Sequence, residues 1–269
     1  MHRSIDIGTL RKYYSTYQQF LSFCRGRRPT SALLEDWITS KCVDDSITGT
    51  SPAQYLSHLG YFIDLNLLPP LRTPRIMRLA QGARKLAKGT PTELCLDPTT
   101  VLEIRRVALS PGAPPVCIVF SCQCAVGLRT GEVRRCRSWL LDLLNHRIII
   151  QPFKFDPRWV ALSIPLSDWP LFSAWHHLLE TKPGQMESLA AAYPARVRSL
   201  LRRHQSYATS YDARRFFATV QHTIHNPPDN IAKFLRHRHE RTIRFYIKQL
   251  TWSQHHAIKT HRHVFVPYS

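Results

Sequence analysis

The strongest constraint on the fold is a group of short β-rich runs in one stretch, Leu140 to Ile164. Within it, Leu140 to Leu144, Arg147 to Gln151 and Trp159 to Ile164 are β-rich runs separated by Asn145-His146 and by Phe153 to Arg158, which predicts a small antiparallel sheet. On either side, apolar residues recur at helical intervals between proline- and glycine-containing breaks. Leu10, Tyr13, Tyr14, Tyr17, Phe20, Leu21 and Cys24 follow one another at three- and four-residue spacing, the pattern of one helix face. Ser31 is expected to cap a short helix through Trp37. Ser51-Pro52 is expected to open another under the run Tyr55 to Leu68, which Pro69-Pro70 ends. The expected fold class is mainly α with a small antiparallel β-sheet.

At 269 residues the chain has room for two domains, since one domain takes roughly 150 residues. The polar segment Lys88-Gly89-Thr90-Pro91-Thr92-Glu93 suggests a linker over 89–96, between a helical domain at 1–88 and a second domain at 97–269. From about residue 250 the second domain is expected to end in a tail with apolar anchors at Trp252, Phe265 and Tyr268. Asp97-Pro98 reads as a helix start, and Ser167 or Asp168 before Pro170 as another. The rest, to about Gln249, is expected to be helical with breaks at Pro183-Gly184 and Pro227-Pro228. No apolar run reaches the roughly 18 residues of a membrane span, and Met1 to Asp6 carries no apolar signal region, so an intracellular protein without a membrane partner is expected. The seven cysteines lack paired spacing and are expected to be reduced thiols, with Cys122 and Cys124 buried in an apolar run. His255, His256, His261 and His263 have no cysteine or carboxylate partners nearby, so no metal is expected.

Charge narrows the function. The chain has 37 Lys and Arg against 18 Asp and Glu, a net +19, too one-sided for an ordinary metabolic enzyme and suited to a polyanion. Arg72, Arg75, Arg78, Arg84, Lys85 and Lys88 occur without an intervening acid, and fourteen basic residues against three acids lie between Arg196 and Arg262. The first group, with Arg202 and Arg203 of the second, is expected to track nucleic-acid phosphates.

Four short motifs follow in order. Gly127-Leu128-Arg129 has an acid, Glu132, three positions on. Lys154 sits in the turn Pro152 to Pro157 between two β-runs. Tyr211-Asp212-Ala213-Arg214-Arg215-Phe216-Phe217-Ala218-Thr219 forms the third, and Leu235-Arg236-His237 is followed nine residues later by Tyr246. In this order and at these separations they resemble the tyrosine recombinase (phage integrase) family. The helical segment before them is similar to its core-binding domain. The resemblance implies a core-binding domain plus an α+β catalytic domain. It makes Arg129 and Arg214 catalytic arginines, Glu132 their support, Lys154 the general acid, His237 a phosphate ligand and Tyr246 the nucleophile. Tyr211 stands where the family has histidine, and Arg236 where it has glycine; Asp212 is expected to cap its helix and orient Arg214. The implied activity is site-specific cleavage and rejoining of DNA through a 3′-phosphotyrosine, without metal, ATP or other cofactor. The implied partners are double-stranded DNA with inverted-repeat core sites and a homotetramer on two such sites, in the nucleoid or, in a eukaryote, the nucleus.

The chemistry asks for the same residue types. Attack on a phosphodiester builds charge on non-bridging oxygens, which a guanidinium fork meets with two aligned donors and a permanent charge. A phenol of pKa about 10 must shed its proton as it attacks, and His237 is expected to titrate near neutrality as a secondary proton-transfer group. Two alternatives share the motifs: a type IB topoisomerase-like relaxing enzyme, and a DNA-binding protein of the same fold whose catalytic centre has decayed at Tyr211 and Arg236.

Overall fold

The computed structural model describes residues 6–43, 51–71, 73–79, 93–150, 159–237, 243 and 246–265. The chain divides into two compact units, Met1–Pro91 and Thr92–Ser269. The first holds α1 (Ile7–Cys24), α2 (Ser31–Val43), α3 (Ser51–Asp64) and α4 (residues 74–79). Asp6 caps α1 by accepting the Thr9 N–H at 2.9 Å. Phe20 and Cys24 are buried, with Tyr13, Tyr17 and Leu21 packed beside them, whereas Leu10 and Tyr14 are exposed. Steps of three and four sweep around more circumference than one face, and Thr16 enters the buried stripe instead, its hydroxyl 2.7 Å from His58 Nδ1. Helix α2 does not stop at Trp37 but runs to Val43, because no breaker follows the tryptophan. Its cap is the Thr30 hydroxyl, which accepts from Leu33 N at 3.2 Å, rather than Ser31.

In the second unit, α5 (Pro98–Ala108) begins as its sequence predicts: Asp97 accepts the Thr99 N–H at 2.8 Å and Pro98 takes the first position. Helix α6 (Pro115–Val126) is apolar almost all round and is accordingly central. It packs against α5, α8 (Trp169–Thr181), α9 (Pro183–Arg203) and α10 (Asp212–Thr223). Its cysteines, Cys117, Cys122 and Cys124, are buried free thiols, and burial pushes them up in pKa. Its polar residues, Ser121 and Gln123, are both buried, and the Gln123 amide donates to the Leu128 and Ser210 carbonyls at 3.1 and 2.9 Å and accepts from Tyr193 Oη at 2.7 Å.

Gly127 ends α6 in the left-handed region at φ 62°, and a Cβ there would lie 2.8 Å from both Leu235 Cδ2 and Phe217 Cδ1. Strain and overlap act together, so Gly127→Ala is expected to lower the unfolding free energy by about 2–4 kcal/mol in urea titration. A loss below about 1 kcal/mol would show that the two side chains can withdraw.

Short α7 (Thr130–Arg134) leads to the sheet β1 (Leu141–Asp142), β2 (Arg147–Ile150) and β3 (Val160–Ser163), antiparallel in that order. Leu141 pairs with Ile148, and Ile148 with Leu162, which puts these buried side chains on the core face. Asp168 precedes α8 but does not cap it; its buried carboxylate pairs with Arg105 of α5 instead. Helix α9 continues through Pro194. The expected run of helix is interrupted again at 204–210, where Gln205 adopts φ 56°, before α10 begins. The unit closes with α11 (Pro228–Phe234), α12 (Trp252–Thr260) and α13 (Arg262–Phe265). The last of these lies on its own unit, with Phe265 edge-on to Phe216 at 5.6 Å. Among the described residues no helix is long and apolar enough to cross a membrane.

Candidate active site

The site grows from the turn that ends α6. After Gly127 and the buried Leu128 the chain becomes extended at Arg129, which takes the N-cap position of α7. Glu132, three residues on, reaches back in a capping box: its carboxylate accepts the Arg129 N–H at 2.6 Å and Arg129 Nη1 at 2.9 Å. It also accepts from Arg236 Nη2. Burial drives the Glu132 carboxyl upward, but the Arg236 guanidinium and the Arg129 N–H and guanidinium outweigh it and hold the group below its usual value.

Arg214, in the first turn of α10, points into the protein and is 1% exposed. Nη1 donates to the Gly127 carbonyl at 2.7 Å and Nη2 to the Leu235 carbonyl, and Nη2 lies 3.2 Å from His237 Nε2. It is thereby the tie between the α6 turn and the turn after α11. Burial, then the charges of Arg236 and Arg129, push it down to about 9, so it remains a cation at neutral pH. Asp212 does not orient it. That carboxylate accepts the Thr209 N–H and hydroxyl at 2.8 Å each and pairs with Arg215 Nη1 at 3.0 Å, because the next basic residue lies on the accessible side of the helix.

An arginine has only donors, so His237 Nε2 accepts from Arg214 and the ring proton belongs on Nδ1. His237 does not titrate near neutrality: burial, followed by the charges of Arg214, Arg129 and Arg236, presses it down to about 4. Its ring stands 4.8 Å from that of Tyr246, and the Arg214 guanidinium lies 5.6 Å from the Tyr246 ring centre. Tyr246 is not on a regular helix. It sits in a turn, its N–H bonded to Ile243 O at 2.8 Å and its carbonyl accepting from Thr219 Oγ1 at 3.3 Å. Its hydroxyl meets that of Tyr211 at 2.9 Å. Tyr211 is 47% exposed, under the Arg215 guanidinium at 5.1 Å. Burial of its remaining half and the bond to Tyr246 push its phenol up to about 12.

The structure thus brings Arg129, Glu132, Tyr211, Arg214, His237 and Tyr246 together. Lys154, Arg72, Arg84, Lys85 and Lys88 lie outside the described residues. Arg75 and Arg78 are exposed on α4, Arg75 paired with Glu35 at 2.7 Å. Arg202 and Arg203 are exposed in the last turn of α9, where they also suit the helix dipole. Three participants escaped the sequence reading: Arg215, the Thr219 hydroxyl that anchors the Tyr246 backbone, and the inward course of Arg236. Only the last left a signal, a long side chain where a glycine is usual after a helix.

No protein-family model and no curated protein sequence matches the chain. Solved structures do. The Tn1549 transposon integrase (residues 82–397), in complex with circular intermediate DNA, is 12% identical and matches over 96% of this chain and 94% of its own, with a TM-score of 0.64. A λ integrase (75–356) dimer bound to a COC′ core site is also 12% identical, covering 91% of this chain and 89% of its own at a TM-score of 0.60. XerA recombinase is 16% identical over 96% and 92%, at 0.52. Identities this low carry architecture alone, and on that ground the chain has the tyrosine recombinase/integrase fold.

Proposed function

We propose that the chain is a site-specific DNA recombinase that cleaves and rejoins DNA through a 3′-phosphotyrosine on Tyr246. The observation that carries this reading is Tyr246, partly buried, with its hydroxyl against a second hydroxyl and its ring beside the neutral His237 imidazole and the Arg214 guanidinium. In the cleavage step Tyr246 Oη bonds to phosphorus as the P–O5′ bond breaks. Arg129 and Arg214 bind the non-bridging oxygens. The phenol proton passes to water, since His237 Nε2 already accepts from Arg214 and its Nδ1 carries the ring proton, and Lys154 is the acid that protonates the departing 5′ oxygen. Tyr211 holds its own proton too firmly to act as base. It donates to the Tyr246 oxygen as that oxygen gains charge. Attack by the 5′-hydroxyl of another strand reverses the step, so rejoining needs neither ATP nor a divalent cation.

The partner is double-stranded DNA with inverted-repeat core sites, bound by four copies on two sites. Residues 1–88 act as the DNA-binding domain, 89–96 as linker and 97–269 as the catalytic domain. Support comes from the net charge and from the solved integrases of this fold, which hold DNA. In this reading the protein works inside the cell, wherever the DNA is.

The test is a trap. DNA flanking the native gene, nicked near candidate inverted repeats so that the freed fragment diffuses away, is incubated without metal. An SDS-resistant adduct mapped to Tyr246 is expected. One observation favours a second reading, a DNA-binding protein without chemistry: both terminal nitrogens of Arg214 are occupied by the protein. Tight, salt-sensitive binding with no adduct on DNA that contains the recognised site would establish it. Relaxation of arbitrary supercoiled plasmids without paired sites would instead indicate a topoisomerase-like enzyme.

A further inference from the structure

Arg236 occupies a position whose backbone favours a different residue. The turn after α11 folds back with Arg236 N bonded to Lys233 O and His237 N to Ala232 O, both at 2.9 Å. This places Arg236 at φ 53°, in the left-handed region where glycine normally ends a helix. The side chain then turns away from solvent. It is 4% exposed, with Nη1 donating to the Phe234 carbonyl at 2.6 Å and Nη2 to Glu132. A strained backbone and a desolvated cation are two unfavourable features at one residue, and such features persist where the surroundings use them.

Glu132 does not need this partner for neutrality, because Arg129 already supplies its backbone N–H and its guanidinium. With Arg236 present, the guanidiniums of Arg129, Arg214 and Arg236 surround a single carboxylate, which among the described residues leaves two positive charges in excess. Neither Tyr211 nor the neutral His237 adds to that number. A phosphodiester carries one negative charge, and the five-coordinate state of attack at phosphorus carries two on its non-bridging oxygens. Among the described residues, removal of Arg236 would leave one positive charge to meet them.

We propose that Arg236 is a positioning residue that, by sharing Glu132 with Arg129 and adding its own charge, matches the pocket's field to a dianionic phosphorus centre. This rests on the recombinase reading above. The partner chemistry it selects is a phosphoryl group with charged non-bridging oxygens.

The test compares Arg236→Met and Arg236→Lys on two substrates, one with an ordinary scissile phosphodiester and one with an uncharged methylphosphonate at that position. On the phosphodiester, Arg236→Met is expected to slow adduct formation roughly 10- to 100-fold, at or below the loss seen when a direct transition-state donor is removed. On the methylphosphonate, which lacks the charge to be matched, the deficit should shrink to about threefold or less, and Arg236→Lys should recover most of the rate on both. An equal loss on the two linkages, or no loss on either, would overturn the proposal, since packing alone does not distinguish a charged oxygen from a methyl group. A second readout does not depend on catalysis. Added sulfate should raise the melting temperature of the wild type and of Arg236→Lys more than that of Arg236→Met. If the wild type forms no adduct but this difference appears, the recombinase reading fails and the charge role of Arg236 stands. If sulfate stabilises all three alike, the charge role fails.

Discussion

Tyr246→Phe is expected to bind DNA with the affinity of the wild type and to form no SDS-resistant adduct. The substitution removes one oxygen and keeps the ring that stands beside His237 and lies by the Arg214 guanidinium. The fold is held at this point through main-chain bonds to Ile243 and Thr219, which the variant retains. Among the described residues its structural loss is the hydroxyl contact with Tyr211, and Tyr211 is exposed enough to bond water instead. The comparison therefore isolates the nucleophile. An adduct that persists in Tyr246→Phe and maps to Tyr211, 2.9 Å away in the wild type, would transfer the role to the neighbouring phenol.

The second large effect is on stability. Glu132→Ala is expected to lower the unfolding free energy by about 3–5 kcal/mol, read from urea titration at neutral pH. Glu132 is the buried carboxylate on which Arg129 and Arg236 converge, with Arg214 close enough to feel its charge. Without it, three guanidiniums repel one another, and among the described residues Arg236 keeps a desolvated charge with the Phe234 carbonyl as its one partner. Desolvated, unpaired charge is among the few causes of losses this large from one substitution. Adding sulfate should restore part of the loss, because an anion can stand where the carboxylate stood. A loss under about 1 kcal/mol would mean that water reaches the cluster and that its charges are not isolated.

What could be read ahead of the structure was mostly punctuation. Asp97-Pro98, Gly127 and the β-rich stretch act through local backbone chemistry, and α5, the end of α6 and the three-stranded sheet follow from them. Asp168 looked equally local as a cap, yet its carboxylate serves Arg105, 63 residues earlier in the chain. No window of sequence contains that pairing. Pro194 leaves α9 unbroken because buried Tyr193 and Val197 hold the helix in place through tertiary packing. In the site, motif spacing singled out Arg129, Arg214, His237 and Tyr246. It could not give their states. The fall of His237 to about 4 depends on three arginines brought near it by folding, and the Tyr211 to Tyr246 contact depends on a turn where helix was expected.

Gln123 has a consequence for how such a chain can change over generations. Its amide ties Leu128 and Ser210, the residues immediately before Arg129 and Tyr211, to the Tyr193 hydroxyl. A nonpolar residue at 123 would orphan a phenol and two carbonyls at once, and a charged one would lack a counterion, so single substitutions lead downhill. Drift at this spot has to proceed by paired exchanges, with position 193 following 123. In descendants of this sequence the two should therefore vary together, even where the surface around them has lost all likeness.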